Sequence, residues 1–297
     1  MSSQNRVIMI VCVVALTGIA ASSFGVILTE SFVKFTGAFS SRQLEDLQID
    51  CNASMICPGE DLLYEVSWWI FKLGRIRLKT LESRIRDGHV RHTAVVFIDS
   101  YGGLPFVDVH AIDYTEMDSA FYSRGFHSVE KRNDEWLVMK YHYYLSEKVL
   151  IVEETWQRDL LSPPYAPSTF DTLKIEQEWF QDGLSLLYFA RQNARLGKPI
   201  RVPTMIYGTT GTTLFHFTNK KTTVKIDGSK DPVRVVEFEG KAGFKGLFGL
   251  TGDFKGWLSD DAAAVPIKAK TKVILGSIKI ELKEWERSGW TPPVEEK

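Results

Sequence analysis

The chain has 297 residues, 44% of them hydrophobic and 25% charged, with a formal net charge of -1 at pH 7. That length can bury one large core or two modest ones, and the balanced charge excludes a protein built on electrostatic capture of nucleic acid.

The first element is Val7 to Leu28, VIMIVCVVALTGIAASSFGVIL, which carries no charge and follows Arg6. Its length suits a helix crossing a hydrocarbon core of about 30 Å. Its inner part, Val7 to Ala21, also fits a secretory h-region followed by small residues at Ser22 and Ser23. Residues 1–29 are therefore expected to be a cleaved signal peptide or an uncleaved membrane anchor. Both readings export the rest of the chain. Cys12 lacks the small residues that precede a lipidated cysteine, so no lipoprotein is expected.

Residues 30–57 read as a tether whose only pattern is a short helical turn around Ser41 to Leu47. It ends in Cys51 and Cys57, spaced C-x5-C. No second Cys or His pair stands at ligand spacing, so an exported chain is expected to join these two as a disulfide rather than hold zinc.

From Leu62 the period becomes two. Leu62, Tyr64, Val66 and Trp68 alternate with Leu63, Glu65, Ser67 and Trp69, and Ile76 and Leu78 alternate with Arg75, Arg77 and Lys79. Further strands are expected at His92 to Ile98, Trp136 to Tyr144, Val149 to Thr155, Thr222 to Ile226 and Val233 to Glu239. Val265 to Val273 and Ile278 to Leu282 repeat the alternation with lysines outward, joined by a turn at Gly276-Ser277. Sheets apolar on one face and charged on the other are antiparallel and solvated outside. Phe121 to Arg132 resists assignment, and Pro163 to Pro167 reads as a rigid loop. The helical segment is QDGLSLLYFARQNARLG: Asp182 is the expected N-cap, Leu184, Leu187, Tyr188 and Arg191 recur at helical spacing, and Gly197 stops it. The expected fold is mostly β, a strongly curved antiparallel sheet or open half-barrel over residues 58–285, with one main helix, Gly183 to Arg195, on its concave face and a tail at 286–297.

Three segments carry a family resemblance: PGEDLLYEVSWWIFKLGRIRLKT from Pro58, DGLSLLYFARQ from Asp182, and GWLSDDAAAVPIKAKTKVILGSIKIEL from Gly256. In this order they resemble the bacterial domain-of-unknown-function 3108 family over about Pro58 to Lys283. The resemblance implies an exported, β-rich protein of the bacterial cell envelope, on its periplasmic side, membrane-anchored or secreted, without an established activity. Its implied fold is similar to the open, incomplete barrels of periplasmic lipoprotein-localisation carriers, a likeness of fold alone. The cysteine pair and the tether are not features of that resemblance.

The chemistry is sparse. GKAGFKGLFGLTGDFKGW, from Gly240, has glycines beside lysines, but no Gly-Lys pair is followed by Ser or Thr and strands flank it, so it is no phosphate loop. Two readings remain, a packed glycine-rich hairpin and a membrane or ligand lip in which Phe244, Leu247 and Phe248 meet lipid while Lys241, Lys245 and Lys255 meet head groups. Asp108, His110 and Asp113 could ligate a metal, but a hydrated strand face gives the same pattern. Ser259-Asp260-Asp261 reads as a turn, and His127, His142 and His216 stand alone among aromatics. Nothing resembles a G-x-S-x-G, H-E-x-x-H or Cys/His nucleophile arrangement. A non-enzymatic binding module is expected, with no cofactor and no metal. Its apolar or lipid-like ligand would lie between helix and sheet, against Tyr64, Val66, Trp68, Leu187, Tyr188 and Trp257. The alternatives are a structural or interaction protein of the envelope with a packed core and, third, an enzyme of unknown type, which would have to be built from residues that no motif marks.

Overall fold

Strands that alternate apolar and charged residues pair with their neighbours in sequence, and the sheet grows as two meanders. The computed structural model describes residues 45–46, 49–104, 107–206, 208–243, 252–273 and 276–295. Its strands are β1 (Glu45–Asp46), β2 (Asp61–Trp68), β3 (Phe71–Arg86), β4 (His89–Ser100), β5 (His110–Met117), β6 (Ser123–Arg132), β7 (Glu135–Tyr144), β8 (Val149–Gln157), β9 (Thr169–Lys174), β10 (Pro199–Ile206), β11 (Thr209–Val224), β12 (Val233–Ala242), β13 (Gly252–Ser259), β14 (Pro266–Lys272) and β15 (Ser277–Glu286). β2 to β9 pair in order, β10 to β15 do the same, and β15 joins β2, with β1 added on β3. Every ladder is antiparallel.

β9 and β10 are the ends of this path and do not pair with each other. They nevertheless approach. Lys174 of β9 and Arg201 of β10 line one cleft, and the Tyr141 hydroxyl of β7 accepts the amide of Gly208, just past β10, at 2.7 Å. The sheet curls until its ends meet across a seam without closing, which is the expected open barrel.

Between the two edges the chain crosses the concave side. The helix α1 (Ser185–Gln192) starts from a reciprocal cap. The Asp182 carboxylate accepts the amides of Leu184 and Ser185, each at 2.8 Å, while Ser185 Oγ accepts the amide of Asp182 at 2.9 Å. The regular helix is shorter than Gly183 to Arg195, because residues 193–195 already turn ahead of the left-handed Gly197, φ 67°. Tyr188 and Leu184 pack from α1 onto Tyr64, Leu78, Val265 and Leu282.

Two glycines of the glycine-rich stretch serve packing. Across the β12–β13 ladder Gly240 pairs with Phe254 and Gly256 with Phe238, and a Cβ on either glycine would overlap the ring opposite. Phe215, Phe217, Phe238 and Phe254 form one aromatic cluster through this space. Gly256→Val is expected to lower stability by about 1–3 kcal/mol by overpacking, while the exposed Lys241→Val stays within about 0.5 kcal/mol of wild type. Equal urea midpoints for the two variants would contradict the packing role.

The structure corrects some expectations. Glu45 and Asp46 pair as a strand with Ile85 and Arg84 rather than forming a helical turn. The unassigned Phe121 to Arg132 contains β6. Past β15 the segment read as a tail packs on the domain: Arg287 is buried and Val294 bridges to Val233. Residues 1–29 with Cys12, and Phe244, Lys245, Leu247 and Phe248 of the expected lip, lie outside the described residues. Among the described residues no helix is long and apolar enough to cross a membrane.

Candidate ligand site

The space expected to hold a ligand is filled by side chains. Tyr64, Tyr188 and Trp257 belong to one core cluster with Leu187 packed against it, and Tyr188 is 0% exposed. The Tyr188 hydroxyl lies 2.7 Å from Thr80 Oγ1, and its ring stacks on Phe121. Trp257 donates its indole N–H to Glu237 at 3.1 Å under the ammonium of Lys255, which pairs with Glu237 at 2.6 Å and Glu239 at 3.2 Å. Val66 is buried outside this cluster. Trp68 leaves it for the strand end, where it stacks on Phe71. Of the two described lip lysines, Lys255 is thus held by carboxylates and Lys241 is exposed.

Beside Tyr188 lies a charge cluster that sequence reasoning missed. Glu60 receives Arg191 through both oxygens, at 2.7 and 2.9 Å, and Arg287 through Oε2. All three side chains are 0% exposed. The guanidinium of Arg191 also donates to the carbonyls of Met55 and Ala263, and that of Arg287 to those of Cys51 and Ser54. Cys51 and Cys57 form the expected disulfide, so the cluster ties the disulfide loop, the first core strand, the helix and the C-terminal segment together. Burial and the neighbouring Arg191 push Arg287 below the usual arginine range, against the pull of Glu60. The sequence did hold one signal. Arg191 shares the apolar stripe of Leu184, Leu187 and Tyr188, and a buried arginine requires a buried partner.

The other singled-out groups are satisfied locally. His110 contacts Asp99 at 2.9 Å and Asp108 at 3.0 Å, and the Asp99 hydrogen bond raises its pKa despite burial. Asp113 points instead into the interior, where Ser128 donates to it at 2.6 Å; burial pushes it up to about 7. Among the described residues no group of three or more His, Cys, Asp or Glu could hold a metal. Ser259 Oγ donates to Asp261 at 2.7 Å and accepts the amide of Val265, making the expected turn, and Asp260 pairs with Arg195 and Lys221. His142 pairs with Glu153, His216 is exposed, and burial pushes His127 down to about 4.

A concave space does exist, at the seam. A cleft of about 630 Å3 lies where β9 and β10 fail to meet, lined by Lys174, Trp179, Phe180, Arg201 and Pro203 together with the carboxylate of Glu176 and the polar Gln177, Thr210 and Thr212. Gln181 fixes its floor to the β10 edge, donating its amide to Pro203 at 2.9 Å and accepting that of Met205 at 2.8 Å. Trp179 stacks on Tyr122 with centroids 4.7 Å apart, which leaves an aromatic wall. Lys174 and Arg201 are exposed and form no ion pair among the described residues. Two cations against one carboxylate, beside the Trp179 ring, leave a net positive charge that suits an anion with an acyl or aromatic body. No motif marks these residues, because they converge only once β9 and β10 become the two edges of one sheet.

The family described as "Protein of unknown function (DUF3108)" matches residues 63–283. No curated protein matches the chain. The chain is similar to a crystal structure of a beta-barrel-like protein of domain of unknown function DUF1849 from Brucella abortus, with 12% identity, a TM-score of 0.47, and coverage of 79% of this chain and 99% of that one.

Proposed function

The chain belongs to the DUF3108 family, and from that premise we propose that it is a non-enzymatic binding module of the cell envelope, exported through its N-terminal segment, which holds an anionic amphiphile at the barrel seam. The observation that carries the reading is the cleft of about 630 Å3 at the unpaired β9 and β10 edges, within the roughly 300–1,000 Å3 of ligand sites. Trp179 and Pro203 take the apolar body of the ligand, and Lys174 and Arg201 take its charge. The burial of Tyr64 and Tyr188 supports the seam over the helix–sheet space as the place for a ligand.

Dodecanoate tests this reading by isothermal titration. The protein is expected to bind it, and Lys174→Glu with Arg201→Glu to weaken binding about ten-fold, or ~1.4 kcal/mol, with the thermal midpoint unchanged because both side chains are exposed. Absence of binding, or equal affinity in the charge-reversed variant, refutes the site. The second reading is an interaction protein with a packed core, favoured by the burial of Tyr188. It gains if native mass spectrometry of the purified protein finds no co-purified amphiphile.

A further inference from the structure

Large apolar side chains exposed to water are unevenly distributed over this fold. The most exposed are Trp69 at 73%, Ile70 at 88%, Phe71 at 52%, Leu161 at 67%, Tyr165 at 47% and Phe170 at 66%. The register puts all six at one rim. Trp68 opposes Phe71 in β2–β3 and Ile278 in β15–β2, so the 69–70 turn lies at the end where β15 begins. Gln157 opposes Trp136 and Thr169 opposes Glu154, so the loop of Leu161 and Tyr165, and the start of β9, lie at the end where β7 begins. Tracing β3 to β7 through their ladders shows that these two ends are the same. The opposite rim has an Asp-Gly turn at 87–88 and carries the less exposed Tyr144, at 44%, and Val294, at 37%.

Trp69 is also held in the left-handed region, at φ 54°, a conformation that a bulky side chain rarely adopts. Trp68, Trp69 and Phe71 form a row of rings there, with centroids 5.9 and 6.2 Å apart. Lys72 and Lys272 stand at the same strand ends with side chains 66% and 79% exposed, each beside a carboxylate, Glu65 at 2.7 Å and Asp253 at 3.7 Å, and Arg158 lies over the Tyr165 ring. Apolar tips on separate turns around a rim suit a plane better than a groove. Tryptophan and tyrosine among lysine and arginine suit the head-group level of a bilayer.

We propose that this rim docks on a lipid surface, the Trp69-Ile70-Phe71 turn entering the acyl boundary and the Leu161, Tyr165 and Phe170 tips resting beside it. The proposal rests on the reading of Val7 to Leu28 as a membrane-associated segment, which keeps the rim near a bilayer so that shallow insertion suffices. The domain begins at β1, on the far end of β3 from Phe71. β3 has 16 residues and spans about 50 Å, while the chain from Leu28 to Glu45 reaches at most about 55–60 Å. The connection is therefore long enough for either rim to face the membrane.

The test uses the full chain with Cys12→Ser, the Cys51–Cys57 bridge intact, and a nitroxide label on Ile70→Cys or, on the opposite rim, on Asp87→Cys. Power saturation is measured on vesicles of mixed phosphatidylethanolamine and phosphatidylglycerol. The Ile70 label is expected to be accessible to oxygen and shielded from a water-soluble nickel chelate, with the Asp87 label the reverse. Equal nickel access at both sites, including the case of no vesicle binding, overturns the proposal. Dipolar broadening at Ile70 without lipid shielding assigns the rim to a second copy and overturns it too. Alkaline extraction of the same vesicles reports separately on the N-terminal segment: a chain stripped from vesicles that had shielded Ile70 keeps the rim and removes the anchor.

Discussion

Glu60→Gln is expected to destabilise the protein by about 3–5 kcal/mol, the cost of removing one partner from a buried ion pair. The glutamine keeps the shape of the side chain but leaves two guanidiniums without a counter-charge at a site that is 0% exposed. Both arginines also hold backbone carbonyls, so neither can swing out to water without stripping Cys51, Ser54 or Ala263 of a donor. Urea unfolding followed by tryptophan fluorescence measures the effect. A loss below about 1 kcal/mol would mean that the cluster is solvated or redundant, on the scale of exposed pairs.

The second large effect is one of pH. Burial, with Asp182 and Glu130 nearby, raises Asp113 to about 7 against the hydrogen bond from Ser128. In the unfolded chain it titrates near 4, so the native state holds the proton more tightly. The contribution of Asp113 is full below about pH 4 and is lost as pH rises to about 7, by about 4 kcal/mol for a difference of ~3 pKa units. His92 and His127, pushed down to about 4 by burial, act oppositely: their contribution is full above about pH 6.5 and is lost as pH falls to about 4. The wild-type profile therefore mixes opposing slopes, and the informative quantity is a difference. Asp113→Asn is expected to match wild type near pH 4 and to exceed its stability by an amount that grows to about 4 kcal/mol at pH 8. A difference that stays flat with pH would rule out Asp113 as the source.

How legible the fold was depended on what each segment faces. β2, β14 and β15 stand between other strands with one face buried, so their alternation survives in the sequence. The edges lose it. β9 is almost wholly exposed, and β10 contains Pro199 and Pro203, which argue against a strand except at an edge. The helix was readable because Asp182 caps it locally. The charge cluster was not, since Glu60 meets residues 131 and 227 positions further along the chain. The seam cleft depends on two edges that only the complete topology defines. For the expected ligand residues, alternation shows only that Tyr64 and Tyr188 face inward, and an inward face can be occupied by the protein itself.

The pairing of β15 with β2 has a bearing on synthesis. β2 emerges early from the ribosome, but one of its edges stays open until Ser277–Glu286 has been made, and Glu60 gains its second arginine only one residue later. During that interval the N-terminal meander offers unpaired backbone to any neighbouring strand, and closing the longest loop of the fold is the slow step. A chain whose β15 is missing or not yet delivered would therefore persist as an aggregation-prone intermediate, which a holding chaperone would have to shield until the last strand arrives.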